Sequence, residues 1–111
     1  MLTRHLNELL CHLDRVAEIG SAEIRKGELL LWYGQERLTA KVWRDVWEKW
    51  EELDFRENGK LVPIFVGEAE GVWVLIWAEG LSSDGSWFKD IRERAGIKLA
   101  GEETASNEEA A

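Results

Sequence analysis

Apolar side chains return at a helical beat along the first seventeen residues. Leu2, Leu6, Leu9, Leu13 and Val16 are spaced +4, +3, +4 and +3, which lines one stripe of an α-helix. Leu10 and Ala17 widen the stripe on one side, His5 and His12 flank it on the other, and Gly20 stops it. The stripe fits a core-facing amphipathic helix. It also fits a helix shared between subunits, being too short for a free coiled coil.

Ser21 can cap a second segment, residues 22–33, ended by Gly34. Its apolar run at 28–33 is too short for periodicity to separate helix from strand. The Gly-Ser entry and Gly exit favour a helix. Thr39 is placed to cap the clearest helix, residues 40–53, with Trp43, Val46, Trp47, Trp50 and Leu53 on one face. Lys41, Arg44, Asp45, Glu48, Lys49, Glu51 and Glu52 cover the other. Bases come early in this helix and acids late, against its macrodipole, which suggests that Lys41 and Arg44 serve another purpose.

After the turn signal Asn58-Gly59, residues 61–66 and 72–78 read as two strands joined by a glycine-bounded loop at 67–71. Pro63 puts the first of them on an edge. Residues 83–86 read as a loop and cap, 87–95 as a last helix ended by Gly96, and 97–99 as a third short strand. From Gly101 the chain turns small and acidic, the composition of a disordered tail. The pattern predicts a single α+β domain over residues 1–100, with about four helices packed on an antiparallel hairpin or small antiparallel sheet. Residues 101–111 form its acidic tail.

Composition adds limits. Hydrophobic residues are 45% of the 111, too many for a disordered chain. No apolar run approaches the roughly 20 residues of a membrane span. Charges and His interrupt the first leucines, unlike a secretory leader. Cys11 is single, so no internal disulfide forms, and a reducing cytoplasm is the simplest location. Asn occurs three times and Gln, Cys and Met once each, while 32% of residues are charged; this is the tendency of hyperthermophilic proteins. The net charge of −8 opposes generic duplex-DNA binding. Its distribution is uneven. Removing the four tail acids (Glu102, Glu103, Glu108, Glu109) from the 22 leaves 18 against 14 bases, or −4, in residues 1–100.

No phosphate loop, dinucleotide glycine fingerprint or serine nucleophile elbow occurs in the sequence. His5, Cys11 and His12 are the only soft metal ligands, and a metal site would need a second chain. The expectation is a binding protein, not an enzyme, with no cofactor and no metal.

Seven tryptophans carry the rest of the reading: Trp32, Trp43, Trp47, Trp50, Trp73, Trp77 and Trp87. Trp43, Trp47 and Trp50 have the spacing of a buried stripe. On a strand, Trp73, Leu75 and Trp77 share one face and Val72, Val74, Ile76 and Ala78 the other. Leu61, Pro63 and Phe65 likewise oppose Val62, Ile64 and Val66. Both faces are apolar, and helices normally cover one. The second face then suits a ligand or another subunit; plain core is the third possibility. Tryptophans along a sheet can stack nucleic-acid bases without sequence preference. Cations for phosphate lie nearby in sequence. Arg37, Lys41 and Arg44 run beside Trp32, Tyr33 and Trp43, and Lys60 and Lys89 are further candidates. The expected site is Trp73, Trp77, Phe65, Tyr33, Arg37, Lys41, Arg44 and Lys60. The expected partners are single-stranded DNA or RNA and further copies of the chain, with no membrane.

A tryptophan-rich α+β domain of this size, with a hairpin apolar on both faces and an acidic tail, resembles the ThermoDBP-related single-stranded DNA-binding proteins of hyperthermophilic archaea. The resemblance covers the organisation of roughly residues 1–100. It rests on no positional motif, so no functional residue is carried over. It implies that unpaired DNA is held on hydrophobic and aromatic surface and that subunits assemble around the strand. The tail is also similar to the acidic tails of bacterial single-strand binding proteins, but Glu108-Glu109-Ala110-Ala111 lacks a terminal aromatic. Two other readings compete. The order of segments 22–33 and 40–53 and the hairpin 61–78 is that of a winged helix-turn-helix regulator. The charge of −8 suits an acidic protein–protein adaptor or inhibitor.

Overall fold

The computed structural model describes residues 1–77 and 87–97. Helix α1 spans Thr3–Ile19 and ends at Gly20. The next segment then divides. Ser21–Arg25 is a strand, β1, and only Lys26–Tyr33 is helical, α2. The expected helix over 22–33 is thus corrected in its first turn. Ala22 and Ile24 are buried while Ser21, Glu23 and Arg25 are exposed, the alternation of a half-buried strand. Glu28 starts the helix. Its Oε1 accepts the Arg25 backbone N–H at 3.2 Å, the return half of a capping box.

Helix α3 is Ala40–Leu53, as the tryptophan stripe predicts, with Thr39 extended at its N-cap but without a side-chain cap bond. A two-stranded hairpin, β2 (Arg56–Glu57) and β3 (Lys60–Leu61), follows. Then come β4 (Phe65–Ala69), β5 (Val72–Ile76), β6 (Lys89–Asp90) and α4 (Ile91–Arg94). The last helix is shorter than expected, because Lys89 and Asp90 pair with β4 and Asp90 caps α4 through the Arg92 N–H at 2.8 Å. Among the described residues the fold is α+β: four helices, a four-stranded antiparallel sheet in the order β1-β5-β4-β6, and the small hairpin. None of these helices is long and apolar enough to cross a membrane. The expectations for residues 83–86, for Lys98 and Leu99, and for the acidic tail lie outside the described residues.

The 61–78 hairpin differs from the sequence reading in register. Residues 67–69 are strand, not loop, and the turn is only Glu70-Gly71. Pro63 precedes β4, so β4 pairs on both sides and is not an edge. A loop from Val66 to Val72 would set odd residues opposite odd ones. The observed pairs, Ala69 with Val72 and Phe65 with Ile76, set odd opposite even. Such a change moves a whole set of side chains across the sheet. Trp73 and Leu75 share their face with Val66, Ala22 and Ile24, while Phe65 lies opposite, with Val72, Val74 and Ile76.

The Trp73 face is the core. Leu9, Leu13 and Val16 of α1, Leu29 and Trp32 of α2, the α3 stripe, and Ile91 and Ala95 all join one buried cluster with it. Trp43 meets Trp73 edge-on at 4.8 Å, and Trp50 donates its indole N–H to the Val62 carbonyl at 2.7 Å. The opposite sheet face contributes nothing to that cluster; its valines are half-buried. Gly67 on that face is needed for close approach, since a Cβ there would lie 3.0 Å from the Trp87 ring and 3.1 Å from Phe88.

Candidate functional site

Three cleft residues sit at helical i+4 spacing on α3. Lys41, Asp45 and Lys49 fall on one side of the helix, beside Val42. Across from them α2 ends at Tyr33 and the connection to α3 brings Gln35 and Thr39. The start of α1 supplies Met1 and Leu6. These residues enclose an open cleft of ≈ 390 Å³, a volume typical of small-ligand sites. The lining mixes apolar side chains (Met1, Leu6, Val42) with polar and charged ones.

Asp45 organises the polar part of the lining. It accepts the Tyr33 hydroxyl at 2.6 Å and the Lys49 ammonium at 3.2 Å. Burial pushes the Tyr33 hydroxyl far above its ordinary range, and the hydrogen bond to Asp45 and the charges of Asp45 and Glu48 push it further. Tyr33 is therefore a neutral donor locked onto Asp45. Lys41 is exposed on the cleft rim and forms no ion pair among the described residues.

The structure separates the residues expected to act together. Tyr33 and Lys41 meet in the cleft. Arg37 is exposed in the connection between α2 and α3 and does not line it. Arg44 turns away, its Nη2 donating to the Ala95 carbonyl at 3.1 Å. Lys60 is exposed on β3. Trp73 is only 6% exposed and belongs to the core. Trp77 packs against the core, edge-on to Phe55 at 5.1 Å. Phe65 is 4% exposed and on the opposite face. An open stacking platform of Trp73, Trp77 and Phe65 is thus corrected: helices cover the Trp73 face, and the register divides the three rings. The tryptophan most open to solvent is Trp87, 50% exposed, with its indole N–H on the Glu68 carbonyl at 2.8 Å.

The sequence reading missed Asp45 and Lys49 as site residues, although their i+4 relation to Lys41 was available as a signal. Arg92 and Arg94 were also missed. Their guanidiniums lie over Trp47 at 5.1 Å and over Trp73 at 4.8 Å, contacts that need the placement of α4. Cys11 is exposed, and His12 is held by the Glu8 carbonyl at 2.7 Å and stands 5.5 Å from the Trp32 ring. The described residues contain no group of three His, Cys, Asp or Glu that could hold a metal. No family model matches the chain, and no curated protein and no solved structure matches it either.

Proposed function

We propose that this chain binds single-stranded nucleic acid, DNA or RNA, and that one nucleotide of the strand enters the cleft beside the first half of α3. The observation that carries the reading is the meeting, in one cleft, of apolar side chains with two lysines, Lys49 bonded to Asp45 and Lys41 without an ion pair among the described residues. A nucleotide has matching halves: a flat base that gains by leaving water and a phosphate that attracts ammonium groups. Asp45 does not spoil the match, because Tyr33 and Lys49 already hold its oxygens.

Charge favours a single strand over a duplex. Beyond Lys41 and Arg44 the exposed side of α3 carries Glu48, Glu51 and Glu52, and the β4–β5 hairpin tip carries Glu68 and Glu70. A duplex needs a basic footprint over several phosphates; a nucleotide in a cleft needs fewer. One observation favours a second reading, a winged helix-turn-helix domain. Apart from the β2–β3 hairpin inserted between α3 and β4, the order α1-β1-α2-α3-β4-β5, with β1 paired to β5, is the connectivity of that class. It is a fold-level analogy, and it would put α3 in a major groove with an acidic hairpin against phosphate.

Competition separates the two. A labelled single-stranded oligonucleotide bound at low salt should be displaced by unlabelled single strand at least tenfold more effectively than by duplex. Equal displacement by duplex would favour the winged-helix reading. Absence of binding at low salt would remove both and leave the acidic adaptor.

A further inference from the structure

We infer that Gln35 makes the cleft selective for unpaired bases, by holding the Watson–Crick edge of the base that enters. The inference rests on the nucleotide reading of the cleft and names the group that tells a single strand from a duplex.

Gln35 is fixed at its backbone. Gly34 ends α2 in the left-handed conformation, and its N–H bonds the Leu31 carbonyl at 3.2 Å. The Gln35 N–H bonds the Leu30 carbonyl at 3.0 Å. These two bonds are those of a Schellman motif, in which the residue after the glycine commonly packs an apolar side chain back on the helix. Here that position carries an amide, exposed and lining the cleft. The side chain is tethered as well, since its Nε2 donates to the Tyr33 carbonyl at 3.4 Å.

A glutamine amide has two N–H donors and one carbonyl acceptor. With one N–H on Tyr33, a donor and an acceptor remain side by side, without a partner among the described residues. The other polar groups of the cleft do not offer this pair. The Tyr33 hydroxyl and Lys49 are both bonded to Asp45, and Lys41 can only donate. Thr39 makes no side-chain cap bond, but one hydroxyl oxygen cannot face two adjacent base atoms.

Every base sets a donor next to an acceptor on its Watson–Crick edge. The pair is N6–H beside N1 in adenine and N4–H beside N3 in cytosine. It is N1–H beside O6 in guanine and N3–H beside O4 in thymine or uracil. One amide therefore complements all four, so the contact favours an open edge without favouring a sequence. In a duplex the partner base occupies that edge. The lysines cannot draw this distinction, because single and double strands both present phosphate.

The test compares two short labelled oligonucleotides, one of thymidine and one of N3-methylthymidine, binding to the full chain by fluorescence anisotropy. The methyl group blocks the N3–H and keeps the ring and the phosphates. Wild-type protein should bind the methylated strand about tenfold more weakly. Gln35→Ala should bind the thymidine strand about tenfold more weakly than wild type does, and should no longer distinguish the two strands. Lys41→Ala should weaken both strands by the same factor and keep the discrimination. Equal wild-type affinity for the two strands, or a discrimination that survives in Gln35→Ala, overturns the inference and leaves the nucleotide reading of the cleft standing. Binding of neither strand overturns both.

Discussion

Trp73 stands edge-on to Trp43 with Arg94 above it, so its side chain fills the space between α3 and the sheet. Trp73→Ala is expected to cost about 3–5 kcal/mol of folding stability, measured by denaturant unfolding. A cost below about 1 kcal/mol would contradict its burial. Trp87→Ala should cost far less, since half of that side chain is already in water. Tyr33 gives a prediction in pH. Its hydroxyl titrates well above the ordinary value of 10 in the fold, chiefly because it is buried. The unfolded chain therefore releases that proton first as pH rises. The contribution is complete below pH 10 and is lost progressively above it. Wild-type protein should thus lose stability relative to Tyr33→Phe as the pH rises past 10, and parallel pH profiles of the two proteins would contradict the assignment.

Two turns close hairpins with both central residues at positive φ: Asn58-Gly59 (55° and 79°) and Glu70-Gly71 (52° and 82°). That geometry matches strand twist and favours Asn-Gly. Asn58 fits it, and Glu70 does not. Glu70→Asn should therefore stabilise the protein by about 1 kcal/mol, and an unchanged or lower melting temperature would count against the turn. Gly67→Ala should destabilise, because its Cβ would press into Trp87 and Phe88. The same turns mark how far the elements were legible. Asn58-Gly59 and the stripe on α3 could be read directly, because each is local. The β4–β5 turn could not, since Glu70 hides a left-handed position and Gly67 looked like its start. That single displacement reversed the face assigned to Phe65 against Trp73. In the cleft, Tyr33 and Lys41 were readable as an aromatic beside a base. Their union with Met1 and Leu6 depends on how α1 packs, which no local spacing encodes.

Over the whole molecule, apolar surface and charge are both unevenly spread. The sheet face with Val72, Val74 and Ile76 lies outside the main cluster, and Leu2 at the start of α1 is 52% exposed. Both favour self-association, so light scattering at micromolar concentration should give more than one subunit; a pure monomer would contradict this. Lys41 and Arg44 lie in the first half of α3, and its second half sets Glu48, Glu51 and Glu52 against Lys49. Salt dependence should accordingly be shallow, and Lys41→Ala should reduce the slope by about 0.7, the value for one phosphate contact on a single strand. The most direct test of the account is location. Chemical-shift mapping of the labelled protein with a short single-stranded oligonucleotide should perturb Leu6, Tyr33, Lys41, Val42 and Lys49, the residues of the cleft. Perturbations confined to Val72, Val74, Ile76 and Trp87, with the cleft silent, would contradict it.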